Sequence, residues 1–172
     1  MSFKELLNDF QAEGAQPAIV HLHGAVNKRM LREVIQTLSY SPNELVVRIT
    51  SHGGDPDIAL AIAGLLRTHP SVVTEVFGQC YSAAVLIFAA APRRRMQKWG
   101  WCMVHESSEE IEGPATTLKH AARHLERNEA HWNAIMAECT GTDAKVWEKL
   151  NERDTYLTAD ECLKLNLATE IF

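Results

Sequence analysis

The residue with the clearest capacity for chemistry is Ser82, a hydroxyl near the middle of the apolar stretch VFGQCYSAAVLIF, residues 76–88. Ser82 stands where a strand gives way to a helix, so its oxygen could cap that helix by accepting a backbone N–H. The same position could make it a nucleophile, because unpaired N–H groups at a helix start can stabilise an oxyanion. Local sequence alone favours capping. Cys80 and Ala84 replace the glycines of a G-x-S-x-G elbow, which argues against an α/β-hydrolase.

A nucleophilic serine also needs a base and a second oxyanion donor. His105 ends the apolar run 101–105 and would reach the same edge of a parallel sheet as Ser82. The glycine-containing loop 51–55 follows another apolar run and could supply a backbone donor. Asp154 lies just past a helical segment, where a surface charge is the commoner interpretation. Composition and periodicity do not join these residues into one site.

The elements that must position these residues alternate between strands and helices. An amphipathic helix has apolar residues every three or four positions, whereas buried parallel strands are almost continuously apolar. Gly24 is predicted to end the first strand, and the second helix is predicted to be buried all round. Thr158 and Glu161 have capping-box spacing before a short helix. The pattern predicts an α/β fold with a largely parallel sheet, with strands at 18–22, 45–49, 72–77, 101–105 and 167–172 and helices at 27–38, 56–67, 115–139 and 143–151.

Bulk composition excludes several classes of protein. A chain of 172 residues with 46% apolar and 23% charged residues fits one globular domain, residues 1–172. Its net charge of −5 argues against nucleic acid as a partner, and the basic run 93–95 is predicted to be a solvated turn. We expect no membrane span and no secretory signal. Four scattered cysteines predict free, mostly buried thiols and a cytoplasmic location.

Three motifs in order resemble the proteolytic subunit of the Clp protease (ClpP), a family of serine peptidases with a crotonase-like fold. They are GQCYSAAV, MVHES and NERDTYLTADECLKLNLATEIF, and SHGGDPDIALAI is similar to the family's Gly-Gly loop and the helix after it. The resemblance covers the chain from about residue 17 to its end. It implies that Ser82 is the nucleophile, His105 the general base and Asp154 the carboxylate that orients the imidazole.

The same resemblance extends to the oxyanion hole, the substrates and the assembly. It implies backbone donors at Gly54 and Ala83, polypeptide substrates, and no cofactor or metal. Residues 107–139 would form the family's handle, through which two heptameric rings meet; a helix packed on its own domain is the alternative. His120, His124 and His131 fall near one face of this helix. A polar or interface face is favoured there over a metal site.

The chain departs from the family pattern at its beginning. About two dozen residues, including the N-terminal segment 1–16, precede Gly24, which is too few for both the leading helix and the axial hairpin that contact AAA+ unfoldases in the family. The sequence therefore does not predict whether the chain docks on such an ATPase. A phage- or prophage-type relative, or a stand-alone peptidase, suits this shortened start better.

Other departures surround the candidate site and bear on specificity and rate. They are Tyr81 and Ala84 beside the serine, His52 in the glycine loop, and Glu106 after the histidine. We expect Tyr81 to narrow the substrate pocket and Glu106 to perturb His105. Two alternatives stay open: a crotonase-type acyl-CoA hydratase or isomerase, for which Glu106 is the candidate acid/base, and a non-catalytic ClpP-like ring subunit.

Overall fold

The computed structural model describes residues 17–40, 44–108 and 110–172. The expectations about segment 1–16 lie outside these residues. In the described part of the chain, strands and helices alternate up to α3, as predicted. The elements are β1 (Ala18–Val26), α1 (Lys28–Tyr40), β2 (Leu45–Gly54), α2 (Pro56–Thr68), β3 (Val72–Tyr81), α3 (Ala83–Ala89), β4 (Arg93–Met96), β5 (Trp101–Val104), α4 (Ala115–Thr140), α5 (Ala144–Asn151), β6 (Thr155–Thr158), α6 (Ala159–Lys164) and β7 (Glu170–Ile171).

The described strands form one sheet in which β3 is central. The order β1-β2-β3-β4-β7 is parallel throughout, and β5 pairs with β3 outside this path. Residues 73–76 of β3 pair with β4, whereas residues 79–81 pair with β5. The short strand β6 then runs antiparallel to β5. The predicted α/β fold with a mainly parallel sheet is confirmed.

Helix α3 is the most deeply buried helix of the described fold. All seven of its residues are buried, and it packs against α2, β2 and β3. Apolar side chains therefore surround the helix that begins directly after Ser82. Burial of this kind contributes about 1.5–3 kcal/mol for each large aliphatic or aromatic side chain, so the start of α3 is held firmly in place.

The first two strands are longer than predicted. β1 does not end at Gly24 but passes through it, with a register shift between His23 and Ala25 against β2. Gly24 has φ 82°, a left-handed conformation that suits glycine at a bulge. The hydroxyl of Ser51 donates to the Gly24 carbonyl at 2.6 Å and satisfies it within the bulge. Residues 51–54, predicted as a loop, consequently belong to β2.

The prediction of a solvated turn at residues 93–95 is wrong, because these residues form strand β4. Arg94 is only 5% exposed. Its guanidinium donates to the backbone carbonyls of Ala91, Asn166 and Leu167, and burial lowers the pKa of Arg94. The C-terminal segment supplies the Asn166 and Leu167 carbonyls from more than 70 residues away, and no local pattern reveals such partners.

Two further expectations need correction. Helix α2 is not buried all round: it buries Ala59, Ile62, Ala63 and Leu66, while Leu60 on another face is 38% exposed. The terminal strand is only Glu170–Ile171, shorter than the predicted 167–172. Strand β6 was not predicted, because its four residues show no run of apolar side chains.

The remaining helices agree with the sequence patterns to within one or two residues at each end, and the capping box at Thr158 is present. In α4 the buried side chains are Asn133, Met136 and Thr140, near its C-terminal end. None of residues 115–130 is buried. The first half of α4 is therefore not packed on this domain.

Two observations bear on the expected environment of the chain. No helix in the described ranges is both long and apolar enough to cross a membrane. All four cysteines are free thiols; Cys80, Cys102 and Cys162 are buried, and Cys139 is half-buried.

Replacing Arg94 tests whether the buried guanidinium holds the C-terminal segment onto β4. We expect Arg94→Ala to lower the free energy of unfolding by about 3 kcal/mol, because the buried carbonyls of Ala91 and Leu167 lose their donor. Arg93→Ala is the matched control, since Arg93 makes an exposed ion pair with Glu170, and exposed ion pairs add little to stability. Urea unfolding measures both changes. Equal losses in the two variants would contradict this account.

Candidate active site

The pairing of β3 with β5 brings the predicted nucleophile and base to one sheet edge. Cys80 lies opposite Cys102, and Tyr81 lies opposite Met103, so Ser82 and the end of β5 leave the sheet together. The backbone N–H of Ser82 donates to the Met103 carbonyl at 2.7 Å and extends this pairing by one residue. Ser82 and the residue after β5, His105, are thus held side by side although they are distant in sequence.

Ser82 has a backbone conformation that is rare for a residue with a side chain. Its φ is 53° and its ψ −127°, and it precedes the first residue of α3. The capping role favoured by local sequence is wrong, because the side chain makes no capping hydrogen bond. Its Oγ is instead hydrogen-bonded to Nε2 of His105 at 2.8 Å. Strain of this kind occurs where the surrounding structure enforces it, often at functional sites.

Asp154 is brought to the same edge by β6. This strand starts at Thr155, which lies opposite Val104, so the residue before β6 is next to the residue after β5. Oδ1 of Asp154 lies 3.8 Å from Nδ1 of His105, which is longer than a hydrogen bond. The Asp154 side chain is 64% exposed, compared with 33% for His105. The structure therefore brings all three side chains together, with the His–Asp contact still open.

The glycine loop at the end of β2 approaches the start of α3 very closely. A Cβ on Gly53 would lie 2.7 Å from Cβ of Ser82 and 2.8 Å from the Tyr81 carbonyl, and Gly53 has φ 92°. Ser51 Oγ accepts the Gly53 N–H at 3.1 Å and fixes the turn. A residue with a side chain would separate this loop from the serine.

These elements enclose a cleft of about 410 Å³. It contains Ser82, His105 and both residues predicted to supply oxyanion donors, Gly54 and Ala83. Sequence reasoning missed the opposite wall, which is formed by one face of α4 and the segment after β5. The other lining residues are His52, Pro56, Met103, Val104, Ser107, Ser108, Glu129, Trp132 and Asn151.

The departures from the family pattern lie in different places. Tyr81 does not line the cleft; its ring meets that of Tyr156 edge-on, with the centroids 5.8 Å apart. Ala84 is buried in α3, and Glu106 is exposed. His52 is the departure that lines the cleft.

The candidate histidine face of α4 makes a local contact. Nε2 of His124 lies 3.1 Å from Nδ2 of Asn128, one turn further along the helix. Within the described ranges, no cluster of three or more His, Cys, Asp or Glu side chains is arranged to hold a metal ion.

Two buried thiols near the site, Cys102 and Cys162, are unreactive. For Cys102, the contact with Cys162 lowers the pKa, but the contact with Cys80 and burial together hold it well above its usual value. The hydrogen bond to Cys102, followed by burial, likewise raises the pKa of Cys162. The raised pKa values keep Cys102 and Cys162 protonated. Both are therefore inert, because only a thiolate is a strong nucleophile.

A serine–histidine pair and a glycine loop at one edge of a mainly parallel α/β sheet are typical of a serine hydrolase. The family model for Clp protease matches residues 4–172. The chain is 32% identical to ATP-dependent Clp protease proteolytic subunit 2 of Treponema denticola, over 87% of this chain and 79% of the relative. It is 28% identical to the protein of the same name from Pseudomonas aeruginosa, over 88% and 79%. The chain therefore belongs to the Clp protease family and is a serine endopeptidase, as the sequence motifs predicted.

A methyl group on Gly53 tests the close approach of the glycine loop. We expect Gly53→Ala to slow labelling of Ser82 by a fluorophosphonate about 10²-fold or more, because the loop must move away from the serine and from the predicted donors at Gly54 and Ala83. Gly64→Ala is the control, since a Cβ there meets no atom within 4 Å. It lies inside α2 and should gain about 0.5–1 kcal/mol of stability without slower labelling. Equal labelling rates in both variants would refute the close approach.

Proposed function

We propose that Ser82, His105 and Asp154 are the catalytic triad with which this endopeptidase cleaves peptide bonds. The observation that carries the proposal is the 2.8 Å contact between Ser82 Oγ and His105 Nε2 inside the cleft. A nucleophile and a base within hydrogen-bonding reach are the first geometric requirement of such a mechanism.

The reaction proceeds by acyl transfer. Nε2 of His105 takes the proton from Ser82 as Oγ attacks the peptide carbonyl carbon. The tetrahedral oxyanion is held by the backbone N–H groups of Gly54 and Ala83, and the imidazolium then gives its proton to the leaving amine. Water, deprotonated by the same imidazole, attacks the acyl-enzyme and releases the second product. Each oxyanion donor contributes about 10²–10³ to the rate.

Asp154 orients the imidazole. Its carboxylate accepts the Nδ1 proton of His105, so that Nε2 is free to accept the proton of Ser82. Moving from 3.8 Å to hydrogen-bonding distance needs a shift of about 1 Å. The exposed side chain of Asp154 has room to make it. Apo geometry is commonly loose in this way before substrate binds.

We propose that residues 1–172 form one peptidase domain that acts on polypeptides in the cytoplasm as a homo-oligomer. The heptameric ring and the pairing of two rings through handle 107–139 follow from the family resemblance. The exposed first half of α4, including Leu118 at 44% exposure, supports a contact with another subunit. The acyl-CoA alternative gains no support: its candidate acid/base, Glu106, is exposed and does not line the cleft, and the matching family and relatives are Clp proteases.

Triad variants test the proposal. We expect Ser82→Ala to abolish both fluorophosphonate labelling and peptide cleavage, and His105→Ala to lower kcat by about 10⁶-fold. Asp154→Asn should lower kcat by about 10⁴-fold, because the imidazole is left in the wrong tautomer. Asp160→Asn, an exposed carboxylate in the first turn of α6, is the control and should keep full activity. A wild-type protein that never labels, or labels equally after Ser82→Ala, would refute the triad.

A further inference from the structure

One wall of the cleft carries the carboxylate of Glu129, which has no role in the proposed triad. Glu129 and Trp132 both line the cleft, and Asn133 follows in the same turn of α4. The backbone N–H of Ser107 donates to Oε1 of Glu129 at 3.1 Å. Because Ser107 lies two residues after His105, this bond ties the carboxylate to the segment that carries the base.

The other carboxylate oxygen of Glu129 has no partner among the described residues of the protein. Oε2 makes no hydrogen bond or ion pair with any residue in the described ranges. Burial raises the pKa of Glu129, the Ser107 N–H lowers it, and the negative charges of Glu106 and Glu126 raise it again. Among the described residues that line the cleft there is no lysine or arginine. A cation that enters the cleft therefore meets an unpaired negative charge.

Part of the cleft lining is apolar, beside polar residues that include Ser107 and Asn151. Trp132 packs against the hydrophobic core, and Met103 and Val104 line the cleft from strand β5. Apolar surfaces of this kind accommodate the aliphatic stem of a long basic side chain, whose charged end extends beyond them. The cleft thus combines a surface for methylene groups with one carboxylate.

We infer that Glu129 makes this peptidase prefer substrates with lysine or arginine immediately before the bond that is cleaved. The inference rests on the proposed function, since it takes the acyl side of the substrate to lie beside Ser82. A basic side chain gives Oε2 of Glu129 a charged donor. A purely apolar side chain would remove water from that oxygen without replacing its hydrogen bond, which costs free energy. An acidic side chain would be repelled.

Two peptides that differ in one functional group test the inference. They carry lysine or norleucine before the cleaved bond and are otherwise identical, so they share a similar aliphatic stem and differ in the ammonium group. For the wild type we expect kcat/KM to be about tenfold higher for the lysine peptide, as one hydrogen bond to a charged group provides. In Glu129→Gln the ratio should fall to about one. Glutamine keeps an oxygen for the Ser107 N–H and removes only the charge.

The matched control is Glu126→Gln, one turn earlier on α4. Glu126 is exposed and does not line the cleft, so this variant should keep the wild-type ratio. Glu129→Lys should invert the preference and favour a peptide with glutamate at the same position. Because each ratio compares two substrates on the same variant, it does not depend on the fraction of active protein.

The outcomes separate the two proposals. Failure of a fluorophosphonate to label Ser82 in the wild type would refute the triad itself. Labelling and peptide cleavage with a lysine-to-norleucine ratio of one or less would overturn the role of Glu129 and leave the triad intact. The same holds if Glu129→Gln keeps the wild-type ratio, or if Glu126→Gln lowers it equally.

Discussion

The pairing between the last residues of β3 and strand β5 is the contact on which the site depends. Residues 73–76 of β3 pair with β4, whereas residues 79–81 pair with β5. This change of partner places the chain after β5 beside the chain after β3, and the bond from Ser82 N–H to the Met103 carbonyl completes it. Without that register, the hydroxyl and the imidazole of His105 would leave the sheet at different points.

The two sides of the cleft differ in how firmly they are held. On one side lie the buried helix α3, the glycine loop packed against Ser82, and the buried thiols near them. On the other lie Asp154 and the face of α4 that carries Glu129, both attached to more exposed structure. In the proposed mechanism the firmly held side carries the nucleophile, and the more exposed side carries the orienting and specificity groups. This arrangement suits an endopeptidase, because the reacting atoms need fixed geometry while substrates vary.

Much of the fold was predictable because burial leaves a periodic pattern in the sequence. The helices 27–38 and 115–139 and the apolar strands were found from spacing alone, to within a few residues. Prediction failed where polar partners replace apolar burial. The guanidinium of Arg94 is buried against distant carbonyls, Gly24 forms a bulge where a strand end was predicted, and β6 exists because β5 offers it a paired edge.

The sequence by itself determined the α/β class, the family, and the identity of the candidate nucleophile, base and acid, because motifs and periodicity are local properties of the chain. Only the tertiary structure decided that Ser82 bonds His105 and does not cap α3, that the His–Asp contact is open at 3.8 Å, and that Glu129 lies in the cleft. These are distances between residues more than 20 positions apart. They depend on strand register and helix packing, which no local stretch of sequence encodes.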